Sequence, residues 1–257
     1  MKAVVVAAVC VAATLSMAPA LRGQAALPDW SGAWIHPFES FGQETSRYRM
    51  PGDPIAPRLT PAYFALMLES RRGLTGRPDG PVTLPDDNRG LPRRRLNSED
   101  CLPTGMPNVM RYSFAFEFLF TPGRVTIILE HDDTSVRRIY TDGRGHTDDP
   151  DPSYNGESIG RWEGQTLVVH TIGISSKAEL FAGVPTSGRA QITERIRLLD
   201  KDRLQIETTV DDPVALLEPW KMTRVYTRTP PVFFERICQD NNREGRGDMP
   251  DLTPPKP

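Results

Sequence analysis

The chain has 257 residues, with 31 lysines and arginines against 33 aspartates and glutamates, 38% hydrophobic residues and 25% charged ones. That balance is ordinary for a globular protein and excludes collagen-like, fully disordered and multi-span membrane classes. A formal charge of −2 lacks the basic excess of a nucleic-acid binder, so no nucleic acid is expected as a partner.

Met1-Lys2 precedes an apolar run from Ala3 to Leu15, then small residues and Pro19. This is the charged, apolar and small-residue sequence of a secretory signal, residues 1–25, with cleavage after Ala25 preferred to cleavage after Ala20. The run is too short to span a bilayer, and no later stretch reaches that length, so no stable membrane insertion is expected. The mature chain is therefore placed in the periplasm or outside the cell. Cys10 leaves with the signal, and Cys101 and Cys238 remain. An even pair in an oxidising compartment reads as one disulfide, stabilising by roughly 5 kcal/mol at most because the loop is long. Two free or metal-binding thiols are the rival reading, but no Cys-x-x-Cys pair supports a metal.

The 25 prolines and 20 glycines point to many turns rather than a helix bundle. Residues 26–111 are irregular and rich in Pro, Gly and Arg. They hold a first strand near Trp34 and one short helix, with Thr60 as N-cap, Pro61 at the first position, Ala62 to Arg72 as body and Gly73 as stop. Residues 73–100, with Arg93-Arg94-Arg95, read as a charged, extended excursion. Residues 112–257 form the β part of what reads as a single structural domain, 26–257. Strands are expected at 112–121, 125–131, 136–141, 158–163, 166–172, 191–199, 203–210, 220–228 and 232–238. Pro122-Gly123, Asp142-Gly143, Glu163-Gly164 and Asp200-Lys201-Asp202 supply turns. Short connections imply antiparallel neighbours, so the fold class is all-β, an antiparallel barrel or a sandwich. Gly32-Ala33-Trp34 resembles the Gly-x-Trp of lipocalin-like barrels.

Alternation sorts each strand into two faces. Phe114, Phe116, Phe118 and Phe120 share one; Ile192, Glu194, Ile196 and Leu198 share another, which puts a carboxylate on an apolar face. Trp220, Met222, Arg224 and Tyr226 do the same for a guanidinium. Thr126, Ile128 and Glu130 line up, as do Val136, Arg138 and Tyr140, and Thr166, Val168 and His170. Charges pointing inward must be paired, Glu194 with Arg224 or Glu130 with Arg138, or else they line a ligand cavity.

The densest polar stretch runs from Glu130-His131 to Trp162-Glu163 and includes Asp142, Arg144 and His146. His131, His146 and His170 lack the spacing of familiar metal sites, so no metal is assigned. Ser158 lacks the Gly-x-Ser-x-Gly setting of a serine hydrolase. Glycine-rich cofactor loops and a phosphate-binding Gly-Lys-Thr/Ser are absent, and no cofactor is expected.

Tyr140-Thr141-Asp142-Gly143-Arg144-Gly145-His146 and Gly156-Glu157-Ser158-Ile159-Gly160-Arg161-Trp162-Glu163-Gly164-Gln165-Thr166-Leu167-Val168-Val169 resemble a family of exported bacterial proteins of unknown function. The likeness continues through Thr193-Glu194-Arg195, Asp212-Pro213 and Pro219-Trp220 to Cys238. The resemblance implies identity rather than an activity. Gln165 and His170 stand where that family usually has Asp, and Gly183-Val184-Pro185-Thr186-Ser187 lacks the His usual before the Ser, which makes His170 particular to this chain.

Two functions follow as expectations. The first is an exported, cofactor-independent acid–base enzyme, a lyase, hydratase or isomerase, acting on a small polar or aromatic metabolite in a barrel cavity. Glu194, His146 and Glu130 are its candidate proton-transfer groups; Arg138, Tyr140, Asp142, Arg144, Trp162, His170 and Arg224 are its candidate binding residues. The second is a lipocalin-like small-molecule carrier without catalysis. A scaffold role for the Pro/Arg-rich segment is a third reading. Oligomeric state is not legible.

Overall fold

The structure is a computed structural model and describes residues 27–36, 56–70, 97–111, 114–130, 135–181, 183–230 and 237–238. Alternating apolar residues and turn-forming glycines dictate strands, and nine of them close a barrel. These are β1 (Ala33–Ile35), β2 (Phe116–Thr121), β3 (Arg124–Leu129), β4 (Val136–Tyr140), β5 (Glu157–Glu163), β6 (Thr166–Ile172), β9 (Gln191–Asp200), β10 (Arg203–Asp211) and β11 (Trp220–Thr229). The order around the wall is β1-β11-β10-β9-β6-β5-β4-β3-β2, and a two-stranded ribbon of β7 (Glu179–Phe181) and β8 (Val184–Pro185) stands apart.

The barrel, rather than a sandwich, is the architecture, because β1 pairs with both β11 and β2 and so leaves no edge. Every ladder is antiparallel except one: β4 and β5 run parallel, Ile139 opposite Ser158 and Tyr140 opposite Ile159. The expectation of antiparallel neighbours throughout fails there, because the β4–β5 connection is long. A parallel pair needs a crossover, and residues 141–156 supply it. Gly123 (φ 72°) and Gly164 (φ 61°) hold the positive φ that the β2–β3 and β5–β6 turns require. Asp142-Gly143, read as a hairpin turn, instead opens the crossover.

Period-2 burial follows from the pleat. Val125, Ile127 and Leu129 of β3 are buried, as are Leu167 and Val169 of β6, Ile192 and Ile196 of β9, and Leu204, Ile206 and Val210 of β10. Strand β2 begins at Phe116, and residues 112–113 of the expected strand lie outside the described residues; Phe116 and Phe118 are buried, and Phe114 and Phe120 half-buried. One end of the core is aromatic. The Trp30 ring lies 4.7 Å from Phe118, 5.6 Å from Phe120 and 5.4 Å from Trp162. The Trp34 indole N–H donates to the Trp30 carbonyl at 3.1 Å, and the Arg228 guanidinium lies 4.5 Å over the Trp34 ring.

Helix α1 (Pro61–Ser70) starts where expected. The Thr60 carbonyl accepts from Phe64 N–H, but its hydroxyl donates to the Val214 carbonyl at 3.1 Å, so the side chain ties the helix to the 212–216 turn instead of capping it. A 3₁₀ turn at Asn97–Asp100 and another at Asn108–Arg111 precede β2. Cys101 and Cys238 are disulfide-bonded, Cα atoms 5.5 Å apart. Among the described residues, no helix is long and apolar enough to cross a membrane. The expected signal, residues 71–96 with the arginine triplet, His131 and residues 232–236 of the last expected strand lie outside the described residues; Ile237 and Cys238 are not in a strand.

The crossover ends at Gly156, whose backbone meets the wall too closely for any side chain. With φ 66°, a Cβ there would sit 2.6 Å from the Ile172 carbonyl oxygen and 2.8 Å from Thr171 Cγ2. Gly156→Ala is expected to destabilise the protein by about 1–3 kcal/mol or more, from the left-handed backbone plus the clash. Chemical denaturation checks this; an unchanged midpoint would show that the crossover can shift freely.

Candidate functional site

The expected site residues fall in different places, because a strand's alternation says which residues share a face but not which face is inside. Within the wall, Glu194 is inward as expected and fully buried. Its partner is Arg137, 1% exposed, a residue not singled out from the sequence. Arg137 Nη1 donates to Glu194 Oε1 at 3.1 Å, and Nη2 donates to Oε2. The remaining donors reach Ser158 Oγ at 3.3 Å and Thr171 Oγ1 at 3.0 Å, and those two hydroxyls are 2.8 Å apart. A fork-to-fork pair of this kind fixes both side chains in one geometry. Glu194 has the surroundings of a structural strut.

Arg137 being inward puts its neighbours outward. Arg138 is exposed and Tyr140 half-buried on the outer face, so the expectation that Arg138 points inward is corrected. Thr166 and His170 also face outward, opposite Leu167, Val169 and Thr171. Arg224 is buried on the inner face of β11 with Trp220 and Tyr226, as expected. Glu130 is buried just beyond β3, and its Oε2 accepts the Ala115 N–H at 3.2 Å. Trp162 belongs to the aromatic end with Trp30, and lies stacked on Phe120 at 6.1 Å.

The outer cluster is built by the crossover. Because β4 and β5 are parallel, residues 141–156 must travel back along the outside of the wall. They are fixed by Thr141 N–H to the Gly123 carbonyl at 2.8 Å and Ser153 N–H to the Gly173 carbonyl at 3.0 Å. This path lays His146 against the outer face of β5 and β6. There Ile159 opposes His170, and Glu157 sits one diagonal away on the same face. His146 Nδ1 is 2.8 Å from Glu157 Oε1, and His146 Nε2 is 3.0 Å from His170 Nδ1. Thr147 adds its N–H to Glu157 Oε1 at 3.0 Å and its hydroxyl to Oε2. The Gln191 side chain, on β9, lies near His170. Glu157 is the member of this cluster that sequence reasoning passed over. Its place at the first residue of a strand, facing the same way as Ile159, was the available signal.

Electrostatics follow from these contacts. Hydrogen bonds from Thr147, reinforced by His146, hold Glu157 below the usual carboxylate range. Burial, and then the proximity of His146, push His170 below the ordinary imidazole value, with Gln191 opposing. His170 is thus kept neutral near pH 7 and available as a base. Both depressed values give stability that is present at higher pH and lost on acidification, because the unfolded chain binds the extra protons. Stability is expected to fall as pH drops below about 6.5, from His170, and further below about 4.3, from Glu157. Urea midpoints across pH 4–8 check this, and His170→Gln should flatten the upper part of the curve. A wild-type midpoint insensitive to pH over that upper range would contradict it.

Beside the cluster, Arg144 lies 4.1 Å over the Tyr140 ring, with Nη2 2.6 Å and Nε 3.0 Å from the two Asp142 oxygens. All three are in the crossover or at its start, and Arg144 and Asp142 are exposed. Tyr140, Asp142, Arg144, His146 and His170 therefore lie on the outside of the barrel, apart from Glu194, Arg224, Trp162 and Glu130, rather than together in one cavity. Among the described residues no group of three or more His, Cys, Asp or Glu side chains is arranged to hold a metal ion.

Fold and site together define a closed β-barrel carrying a carboxylate–imidazole–imidazole chain on its outer wall. No protein-family model matches the chain, and no curated protein matches it.

Proposed function

We propose that this is an acid–base enzyme of the lyase, hydratase or isomerase type, acting on a small polar or aromatic metabolite and using its own side chains as acid and base. The single observation behind this reading is the Glu157–His146–His170 chain, with links of 2.8 and 3.0 Å. A carboxylate that orients one imidazole, and through it a second one kept neutral, is an arrangement suited to moving a proton near pH 7. Tyr140, Asp142 and Arg144 stand beside it as polar groups for orienting a substrate. The work is proposed to take place outside the cytoplasm, in line with the N-terminal signal pattern and the Cys101–Cys238 disulfide.

The test incubates the disulfide-intact protein with a defined mixture of small hydroxy acids, oxo acids and phenols and follows it by mass spectrometry. A His146→Gln, His170→Gln double variant serves as control. A product isomeric with one component, or differing from it by one water, formed by the wild type alone is the expected result. Turnover equal in the double variant, or a mixture left unchanged by both, would overturn the reading.

A carrier is the second reading, favoured by one observation. The Trp30 indole N–H is buried without a hydrogen-bond acceptor among the described residues, inside the aromatic end formed with Phe118, Phe120 and Trp162. Aromatic species that co-purify with the protein and return chemically unaltered would favour it.

A further inference from the structure

Four ring nitrogens lie in the two imidazoles of the outer chain, and three are committed. His146 Nδ1 faces Glu157, and His146 Nε2 and His170 Nδ1 face each other. Glu157 is an acceptor, already receiving two hydrogen bonds from Thr147, so the hydrogen between it and His146 belongs to Nδ1. A neutral His146 then has a bare Nε2, and the hydrogen across the 3.0 Å link must come from His170 Nδ1. This leaves His170 Nε2 with a lone pair, the one ring nitrogen of the two imidazoles outside the chain of contacts, with Gln191 of β9 near the ring.

We infer that His170 Nε2 is the atom that exchanges a proton with substrate, and that Glu157 and His146 are positioning residues that fix its protonation. The inference rests on the acid–base reading given above. In the forward step Nε2 takes a proton from a substrate C–H, and the freed electron pair forms the new carbon–carbon double bond. The carbon–oxygen bond to a neighbouring hydroxyl breaks, and the leaving hydroxide takes the same proton back from Nε2 as water. In an isomerisation the proton returns to a different carbon. Neither step needs an oxidant or co-reactant. His170 as imidazolium keeps its Nδ1–H on His146, so the chain holds together through one added proton. A second proton, on His146 Nε2, would set two N–H groups against each other and break the link.

The groups facing this chain come from each packed element. The crossover contributes His146, Thr147 and Arg144, whose charge acts on Glu157; β5 contributes Glu157; β9 contributes Gln191 and Thr193, the latter paired with His170. The next outward-facing charge along β9, Arg195, is engaged by Glu163 at 2.9 Å. A side-chain amide suits the lone pair of Nε2 in both states, donating through N–H to the neutral ring and accepting through oxygen from the charged one. Gln191 is exposed, so a substrate can take its place.

Nitrogen-15 spectra of the full, disulfide-intact protein read the tautomers directly. At pH 8 both His146 and His170 should carry hydrogen on Nδ1, and acidification should place the proton that His170 gains on its Nε2. Glu157→Gln, which removes the charge but keeps an acceptor, should lower that titration by about one pH unit. Glu157→Asp should largely restore it, which a merely structural role would not do. His170 carrying its hydrogen on Nε2 at pH 8, or a titration unmoved in Glu157→Gln, would overturn the inference. Full turnover by His170→Gln would also overturn it while leaving the acid–base function standing. No turnover by the wild type counts against the function itself, and the spectra decide the place of the proton independently.

Discussion

Arg137→Met is expected to lower the unfolding free energy by about 3–5 kcal/mol, because it strands the fully buried Glu194 carboxylate without its guanidinium. The cost lies in the charge left behind rather than in the contact removed. A carboxylate taken out of water must find an opposite charge or be protonated, and the Ser158 and Thr171 hydroxyls offer only neutral dipoles. Glu194→Gln strands the guanidinium instead and should cost a similar amount. Replacing both residues by apolar ones of matching size, Arg137→Met with Glu194→Leu, should recover most of the loss, since an uncharged core has no desolvation debt. Urea denaturation of the three variants separates the cases. Single variants that unfold within about 1 kcal/mol of the wild type would mean that the pair is hydrated or otherwise compensated, and that Glu194 is not a strut.

Removing the disulfide by Cys101→Ser with Cys238→Ser is expected to cost up to about 5 kcal/mol. The bridge joins residues separated by 137 positions, so it withdraws a large amount of freedom from the unfolded chain. It also secures a layer that side-chain contacts tie to the rest of the protein. Asn97 N–H donates to Glu179 Oε1 at 2.7 Å, and Asn108 Nδ2 donates to Glu179 Oε2 at 2.9 Å. Arg111 lies 4.8 Å over the Phe181 ring and 5.2 Å over Trp220, and the Tyr226 hydroxyl donates to the Met110 carbonyl at 2.6 Å. The reduced wild type and the double variant should melt alike. A reduced protein as stable as the oxidised one would show that these packing ties alone hold the layer.

The barrel wall was largely legible because it obeys one rule. Runs such as Gln191–Asp200 and Trp220–Thr229 alternate over most of their length, and an Asp-Lys-Asp turn or a pair of prolines follows them. The short β7–β8 ribbon was missed because Glu179–Phe181 is buried throughout and has no period. The parallel pairing of β4 with β5 was missed because a strand's direction relative to its neighbour leaves no trace in its own composition. That one omission hid which face of β4 turns inward and how the crossover runs. Val136, Arg138 and Tyr140 share a face with each other, yet Arg137, between them, is the residue that turns inward. Both β4 faces carry an arginine, so apolar content could not choose between them. His146 and His170 were both candidates in the sequence, but their meeting point on the outer wall depends on the path of the crossover. Gln205 with Arg197 at 2.9 Å and Glu163 with Arg195 and Arg161 are the solvated contacts expected of an outer face, and they carry little weight in stability.

The wall closes through a strand of only three residues, Ala33–Ile35, inserted between β11 and β2. Its partners on β11, Thr227 to Thr229, come from the far end of the sequence, whereas β2 through β6 are built from successive neighbours. Local ladders form before distant ones, because ordering a long loop precedes any return from the contacts it brings together. The seam is therefore the last part of the ring to zip. Until it does, the chain is expected to be an open curved sheet with two bare margins, with Trp30 still in water. That interval, rather than the finished barrel, is when one molecule can join its margin to that of another.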